Sequence, residues 1–201
     1  MKRIIGITGG IGSGKSQVLN ILKKDFGARI IQADEVAHCL MEPGMEGYIK
    51  IVEALGTGFL APNGNINQEK LGKLIFRNPE VREIVNRIIH PMVWKEIEVM
   101  ARKAPEELVI VESALMGQKQ REQYHELWYV YTDEEERIRR LMRDRGYSRE
   151  KCLSIMASQK KESEFRAICS QVIDNNGSVE EIRREIEKIL ICQDGRKRTQ
   201  I

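Results

Sequence analysis

Short apolar runs recur along this chain, separated by longer segments in which apolar residues return every three or four positions. A short apolar run is typical of a strand buried in a parallel sheet, whereas the longer periodicity is typical of amphipathic helices. The alternation of the two patterns predicts an α/β fold around a parallel sheet of about five strands. The runs that indicate strands are Ile4–Ile7, Arg29–Ile31, Leu108–Val111, Leu127–Tyr131 and, more weakly, Val172–Asp174.

Capping signals mark the ends of several predicted helices. Thr132 with Glu135, and Ser178 with Glu181, have the spacing of a capping box, which satisfies backbone N–H groups at a helix start. Gly27 is a suitable stop for the helix after the first strand, because glycine readily adopts the left-handed conformation that ends helices. We therefore expect helices to begin just after Thr132 and Ser178.

The middle of the chain differs from the rest, because residues 36–104 contain no strand pattern. The segment lies between the second and third predicted strands. We therefore expect a helical insertion at 36–104, with residues 1–35 and 105–201 forming the sheet-containing core.

Caps and breakers subdivide this insertion. Asn67 is suited to cap a helix that runs through Phe76. Asn78-Pro79 is a cap followed by proline at the first helical position, which favours a second helix start. His90-Pro91 predicts a break or kink in that second helix, because the residue before a proline avoids the helical conformation.

Composition describes a globular chain of one domain with room for an insertion. The 201 residues are 41% apolar and 31% charged, and the net charge of +3 gives no indication of a nucleic-acid partner. Neither a signal peptide nor a membrane span is predicted, so we expect a cytoplasmic protein that is a monomer or small homo-oligomer. The cysteines are too far apart for a Cys-x-x-Cys site and are expected to be reduced: Cys39, Cys152, Cys169 and Cys192.

The first predicted strand runs directly into Gly9-x-x-x-x-Gly14-Lys15-Ser16, the spacing of a phosphate-binding P-loop. Glycines let the backbone curl and present N–H groups to an anion, Lys15 would reach the β- and γ-phosphates, and the Ser16 hydroxyl would hold Mg²⁺. A dinucleotide motif is disfavoured, because Lys15 stands where its last glycine is needed. A nucleotide and Mg²⁺ are therefore the expected ligands, although a P-loop alone does not distinguish a kinase from a GTPase or an ATPase motor. The predicted nucleotide-binding residues of this segment are Gly10, Ile11, Gly12, Ser13, Gly14, Lys15, Ser16 and Gln17.

Two acidic residues at predicted strand ends favour a small-molecule kinase over other P-loop proteins. Asp34, after the second strand, would face the ligand crevice and accept a proton from an acceptor hydroxyl; alternatively, it caps the next helix. Glu112, after the third strand, would orient Mg²⁺ through water; alternatively, it pairs with a nearby lysine or arginine.

A cluster of arginines on and after the charged helix is suited to a basic lid over the transferred phosphoryl group. One helix cannot direct all of them to a single site, so most are expected to be surface charges. Arg140 and Arg145 are the predicted functional members of the cluster, which comprises Arg137, Arg139, Arg140, Arg143 and Arg145.

In their order and combination, these segments resemble the dephospho-CoA kinase family, which performs the last step of coenzyme A synthesis. The resemblance covers about residues 3 to 191. The segments that carry it are Ile7–Ser16, Ala33-Asp34 with Glu42-Pro43-Gly44 following, His90-Pro91, and Val172–Gly177.

The resemblance implies a three-layer P-loop kinase fold in which Asp34 is the base for the ribose 3′-hydroxyl of dephospho-CoA. It further implies that 36–104 binds this acceptor, that about 141–170 forms a lid, and that Asn175, Asn176 and Gly177 lie near the adenine of ATP.

Some positions depart from the family pattern and keep two alternatives open. Gln32 replaces a usual acid, Gln17 a usual threonine, and Asp144 stands where one alignment expects arginine. The loop at 113–118 lacks the usual proline, aromatic residue and glutamate, which leaves open a kinase for another nucleotide, nucleoside or sugar. The other alternative is a nucleotide-dependent switch, although the chain lacks an Asn-Lys-x-Asp guanine motif.

Overall fold

The computed structural model describes residues 2–198, with side chains described through residue 192. Its strands form a five-stranded parallel sheet in the order β2-β3-β1-β4-β5, which confirms the predicted α/β architecture. The strands are β1 Arg3–Thr8, β2 Arg29–Gln32, β3 Leu108–Glu112, β4 Glu126–Tyr131 and β5 Gln171–Asp174. The helices are α1 Lys15–Phe26, α2 Ala33–Leu40, α3 Glu46–Leu55, α4 Gln68–Arg77, α5 Pro79–Lys103, α6 Gln118–Gln123, α7 Glu134–Arg145, α8 Arg149–Ala157, α9 Glu162–Ile168 and α10 Val179–Arg198.

The described chain forms two compact units. The first comprises the residues up to Ile30 together with those from Pro105 onward, and the second is Ile31–Ala104. In the second unit α2, α3 and α4 each pack against α5. Apart from an isolated bridge between Leu60 and Ile66, the described residues 36–104 contain no strand pairing, as predicted.

Helices cover both faces of the sheet in the first unit. Trp128 and Val130 of β4 point into a buried core that also contains side chains of α1 and α10. Tyr129, between them, points to the opposite face, where its ring stacks on Phe165 of α9 at 4.8 Å between centroids. The sheet is therefore the middle of three layers.

Parallel register places the carboxyl ends of the strands at one edge of the sheet. Ile7 of β1 lies opposite Glu112 of β3, and Thr8 lies opposite Tyr129 of β4. This edge is where open α/β sheets bind ligands, because the loops that follow the strands gather there.

Most predicted helix ends are confirmed. Gly27, in the left-handed conformation with φ of 63°, ends α1. Asn67 accepts a hydrogen bond from Lys70 N, and Asn78 accepts hydrogen bonds from Glu80 N and Val81 N. At the start of α10, the Ser178 N–H donates to Glu181 Oε2 at 2.7 Å, which completes the predicted capping box.

Two local predictions are wrong. Asp133, not Thr132, is the N-cap residue of α7, and the Thr132 hydroxyl bonds elsewhere. The break predicted at His90-Pro91 is also not found, since α5 continues through Pro91, whereas the alternative of a kink there stays a prediction. Proline removes only one backbone donor, and the buried face of the helix holds it against its neighbours on both sides of Pro91: Val85, Ile89, Val93 and Ile97.

Membrane insertion of a helix is not indicated. Among residues 2–198, no helix is both long enough and apolar enough to cross a bilayer.

Candidate active site

The predicted P-loop lies between β1 and α1, in the strand–loop–helix context that phosphate binding requires. Gly12 and Gly14 have φ of 76° and 78°, a left-handed conformation that strains other residue types. The first N–H groups of α1 have no partner within the helix, and the positive end of the helix dipole lies there. The segment is therefore shaped to receive an anion.

Lys15 and Glu112 meet at this loop. Lys15 Nζ donates to Gly9 O at 2.9 Å and lies 3.6 Å from Glu112 Oε1. Both side chains are largely buried, at 18% and 10% exposure. The ion pair is the alternative that the sequence left open for Glu112, and it also places the carboxylate beside the predicted phosphate site. The part of Glu112 in orienting Mg²⁺ stays a prediction.

The residues at this edge fit Mg²⁺. Ser16 is exposed at the second position of α1, and Glu112 ends the neighbouring strand β3. Mg²⁺ in nucleotide sites takes one or two protein oxygens and completes its coordination with phosphates and water. The described residues contain no group of three or more His, Cys, Asp or Glu side chains suited to a metal.

Two distant side chains hold the loop from the sheet side. The Thr132 hydroxyl, after β4, lies 2.9 Å from Ser13 O, and Asn175 Nδ2, after β5, donates to the same carbonyl at 2.7 Å. Asn175 is fully buried. The contact of Thr132 with the loop was not predicted from the sequence. Asn175 was predicted to lie near the adenine, and that role stays a prediction. The observed hydrogen bond makes Asn175 a support of the P-loop.

Polar atoms around the loop are incompletely paired. Among the described residues, Thr8 Oγ1, Ser13 Oγ and Asn175 Oδ1 are buried with no hydrogen-bond partner in the structure. Buried unpaired polar atoms are rare, and their concentration here is typical of a functional site.

The other residues predicted near the adenine, Asn176 and Gly177, are exposed on the turn after β5. Asn176 Oδ1 accepts a hydrogen bond from Asp133 N at 3.0 Å, so this turn is tied to the start of α7. Their contact with adenine stays a prediction.

Arg140 and Arg145, the two arginines predicted to be functional, have different surroundings in the structure. Arg140 Nη2 donates to Asn175 O at 2.9 Å, and its guanidinium lies so close to Gly14 that a Cβ there would come within 2.8 Å of it. Arg145 is the last residue of α7 and is exposed. No contact described in the structure joins Arg145 to the loop.

Arg137 is the arginine that sequence analysis passed over. Its Nε donates to Ile11 O in the P-loop at 2.9 Å. Arg137 and Arg140 are three positions apart and lie on the same face of α7. Arg145, at the end of the helix, lies on a different face. The same i, i+3 spacing also joins Arg140 to the exposed Arg143, so no signal in the sequence alone singled out Arg137.

A cavity of about 630 Å³ lies next to Arg137, within the first unit. Its lining includes Tyr129, Tyr131 and the 157–162 segment. The hydrogen bond to Asp133 raises the pKa of Tyr131 to about 12, and burial raises the pKa of Tyr129. Both phenols are therefore neutral at physiological pH and add no negative charge near the loop.

Asp34 belongs to the second unit. It is exposed in the first turn of α2, whose N-cap is Gln32, so the alternative that Asp34 caps this helix is wrong. An exposed carboxylate at a helix start is available to a substrate, and its role as base stays a prediction.

Comparison with known proteins connects this geometry to a family. A model of the dephospho-CoA kinase family matches residues 3–181. A dephospho-CoA kinase of Carboxydothermus hydrogenoformans is 38% identical over 191 residues, covering 93% of this chain and 92% of the relative. The chain belongs to the dephospho-CoA kinase family. The resemblance drawn from the P-loop, Ala33-Asp34 and Val172–Gly177 is thereby confirmed.

Solved structures agree with this placement. One from Thermus thermophilus has a TM-score of 0.79 at 30% identity, covering 94% of this chain and 97% of that chain. A dephospho-CoA kinase from Campylobacter jejuni has a TM-score of 0.64 at 23% identity, covering 94% and 96%, and this likeness concerns the fold alone. The predicted P-loop kinase fold is confirmed. As a member of a kinase family, the chain is an enzyme rather than a nucleotide-dependent switch.

Proposed function

We propose that this protein transfers the γ-phosphoryl group of ATP to the ribose 3′-hydroxyl of dephospho-CoA, giving coenzyme A and ADP. The observation that carries the proposal is the P-loop with its Lys15–Glu112 pair, in a chain that matches the dephospho-CoA kinase family over residues 3–181. In this reading the reaction is the final step of coenzyme A biosynthesis, in the cytoplasm.

Positioning and electrostatics would supply most of the catalysis. The P-loop N–H groups and Lys15 bind the phosphates, and Arg140 adds positive charge where the transferred group becomes electron-rich. Mg²⁺, held by Ser16 and Glu112, would neutralise charge on the β- and γ-phosphates when bound. The Lys15 ammonium group already lies at the P-loop, where it donates to Gly9 O, so its side chain starts close to the proposed phosphate site.

Asp34 is the proposed base. It accepts the proton of the 3′-hydroxyl as that oxygen attacks the γ-phosphorus, and the bond to the bridging oxygen of ADP breaks in line. The exposed position of Asp34 at the start of α2 supports access by an acceptor.

The remaining roles belong to the same proposal. The helical segment 36–104 binds the acceptor, the segment 141–170 acts as a lid, and the turn Asn175–Gly177 lies near the adenine. The segment 141–170 contains the end of α7 and the helices α8 and α9. Neither nucleic acid nor membrane is a proposed partner, and the enzyme works as a monomer or small homo-oligomer.

The decisive experiment is a coupled ADP-release assay with Mg·ATP, run with and without dephospho-CoA, followed by mass analysis of the product. ADP release that depends on dephospho-CoA, with one phosphate added to the acceptor, is the expected result. ATP binding without that dependence would contradict the proposal. A panel of nucleosides, nucleotides and sugars would then test whether the atypical 113–118 loop serves another acceptor.

A further inference from the structure

Two side chains from distant segments bind the backbone N–H and C=O of one P-loop residue, Ile11. Gln159 Oε1 accepts a hydrogen bond from Ile11 N at 2.9 Å, and Arg137 Nε donates to Ile11 O at 2.9 Å. The two side chains also contact each other, since Arg137 Nη2 lies 3.3 Å from Gln159 Oε1. We call this arrangement, of Arg137 and Gln159 around the backbone of Ile11, the Ile11 clamp.

Gly10 shows how closely the clamp fits the loop. A Cβ added there would collide with the Arg137 guanidinium and would lie 3.0 Å from Gln159 Oε1. Gly10 does not have the left-handed backbone of Gly12 and Gly14. The absence of a side chain at position 10 therefore leaves room for the Arg137 and Gln159 side chains in the clamp, which a Cβ would displace.

The segment that carries Gln159 is itself anchored. Gln159 N donates to Met156 O at 3.1 Å, in the turn that ends α8. The next residue, Lys160, donates from Nζ to Met116 O at 2.5 Å, in the loop after β3. Gln159 thus reaches the P-loop from a segment that is tied to the sheet, within the predicted lid 141–170.

The hydrogen bonds that the structure describes for Arg137 go to the neutral oxygens of Ile11 and Gln159, and the carboxylate of Glu134 on the same helix also attracts its charge. Arg137 is half-buried, and this burial lowers the pKa of its guanidinium. A partly desolvated cation gains most from an anion placed nearby. Beside a P-loop, that anion is a nucleotide phosphate.

We propose that Arg137 and Gln159 are positioning residues for nucleotide binding: Gln159 holds the Ile11 N–H and the Arg137 side chain, and Arg137 holds the Ile11 carbonyl, so that the P-loop keeps its binding shape with a positive charge beside it. This inference rests on the proposed function in one respect, that the loop binds the phosphates of ATP.

Hydrogen exchange of the Ile11 amide tests the Gln159 half of the clamp. Gln159→Met keeps the side-chain length but removes the acceptor, and should speed exchange at Ile11 by about tenfold or more in the ligand-free protein. Gln159→Glu keeps an acceptor oxygen at the same reach and should preserve slow exchange. Gln123→Met, on the exposed end of α6, is the matched control. Unchanged exchange in Gln159→Met would overturn the clamp, and Gln159→Asn provides a second test if the Met variant does not fold.

Calorimetric ADP binding tests the Arg137 half. Arg137→Met should weaken ADP binding by about tenfold or more, because it removes a partly desolvated charge. Arg143→Met, on the same helix with its side chain 69% exposed, should change affinity by less than about twofold. Equal affinities of the two variants would overturn the inference. Neither readout requires an acceptor, so a protein that binds ADP but does not phosphorylate dephospho-CoA would contradict the proposed function and leave this test intact.

Discussion

The P-loop region and the helical unit Ile31–Ala104 are stabilised in different ways. The P-loop is held by buried hydrogen bonds from residues far along the chain, such as Asn175 to Ser13 O. The helical unit packs α2, α3 and α4 on the apolar face of α5 and carries ion pairs such as Glu46–Lys50 on its exposed surface. Exposed ion pairs contribute little to stability, whereas buried polar contacts and packing contribute more.

This difference predicts that substitutions in the two regions will have different effects, on nucleotide binding in one and on stability in the other. Polar substitutions around the P-loop should change nucleotide binding, because those bonds set the shape of the loop. Substitutions in the helical unit should change folding unless they reach the acceptor, and Asp34 is the proposed exception. Substitutions in the P-loop region and in the helical unit can test whether effects on function and effects on stability are distinct.

Asp34→Asn should have the largest effect on turnover. Loss of a general base is expected to lower kcat by about 10²–10⁴-fold, with little change in ATP affinity, since Asp34 does not belong to the P-loop. Steady-state kinetics together with ATP calorimetry measure both quantities. Glu35→Gln, at the adjacent exposed position, is the control. Near-normal turnover of Asp34→Asn would show that the helical unit supplies no base at this position.

Ile97→Ala should have the largest effect on stability. Ile97 is fully buried on α5, and removing such a side chain costs about 2–5 kcal/mol in the free energy of unfolding because it leaves a cavity. Urea unfolding followed by circular dichroism measures the loss. Ile49→Ala, where the side chain on α3 is 46% exposed, should change stability by less than about 0.5 kcal/mol. Similar losses in both variants would contradict the assigned packing.

Asn175→Ala should lower stability by a smaller amount and also weaken nucleotide binding. The substitution leaves one hydrogen bond of the buried Ser13 carbonyl unmade, at a cost of about 1–3 kcal/mol. Thermal unfolding with and without ADP separates the two effects. Asn20→Ala, exposed on α1, is the control. A stability loss without any change in ADP affinity would show that the sheet-side support of the loop is purely structural.

Glu46→Gln should have the smallest effect, and it should depend on pH. The hydrogen bond and charge of Lys50 hold the pKa of Glu46 below its usual value of 4.5. A carboxyl with a lowered pKa stabilises the fold above its unfolded pKa, and this contribution disappears as pH falls through the folded pKa. The unfolding midpoints of the two proteins should therefore differ slightly above pH 4.5 and converge in more acid solution, and high salt should reduce the difference. A difference that grows on acidification would contradict this sign.

Structural features that depend on residues close together in the chain were predictable from the sequence. The strands, the P-loop glycines and the caps at Asn67, Asn78 and Ser178 depend on local backbone chemistry, which sequence spacing records. The predicted break at Pro91 was wrong because a local preference against helix gave way to packing along the whole of α5.

The sequence by itself determined the phosphate-binding loop, the parallel α/β arrangement and the kinase family. Only the tertiary structure decided which polar side chains serve the loop: Thr132 supports Ser13 instead of capping α7, and Arg137 and Gln159 reach Ile11 across 126 and 148 residues. Partners so far apart leave no periodic trace in the sequence. They meet because parallel strands bring the loops that follow them to one edge of the sheet.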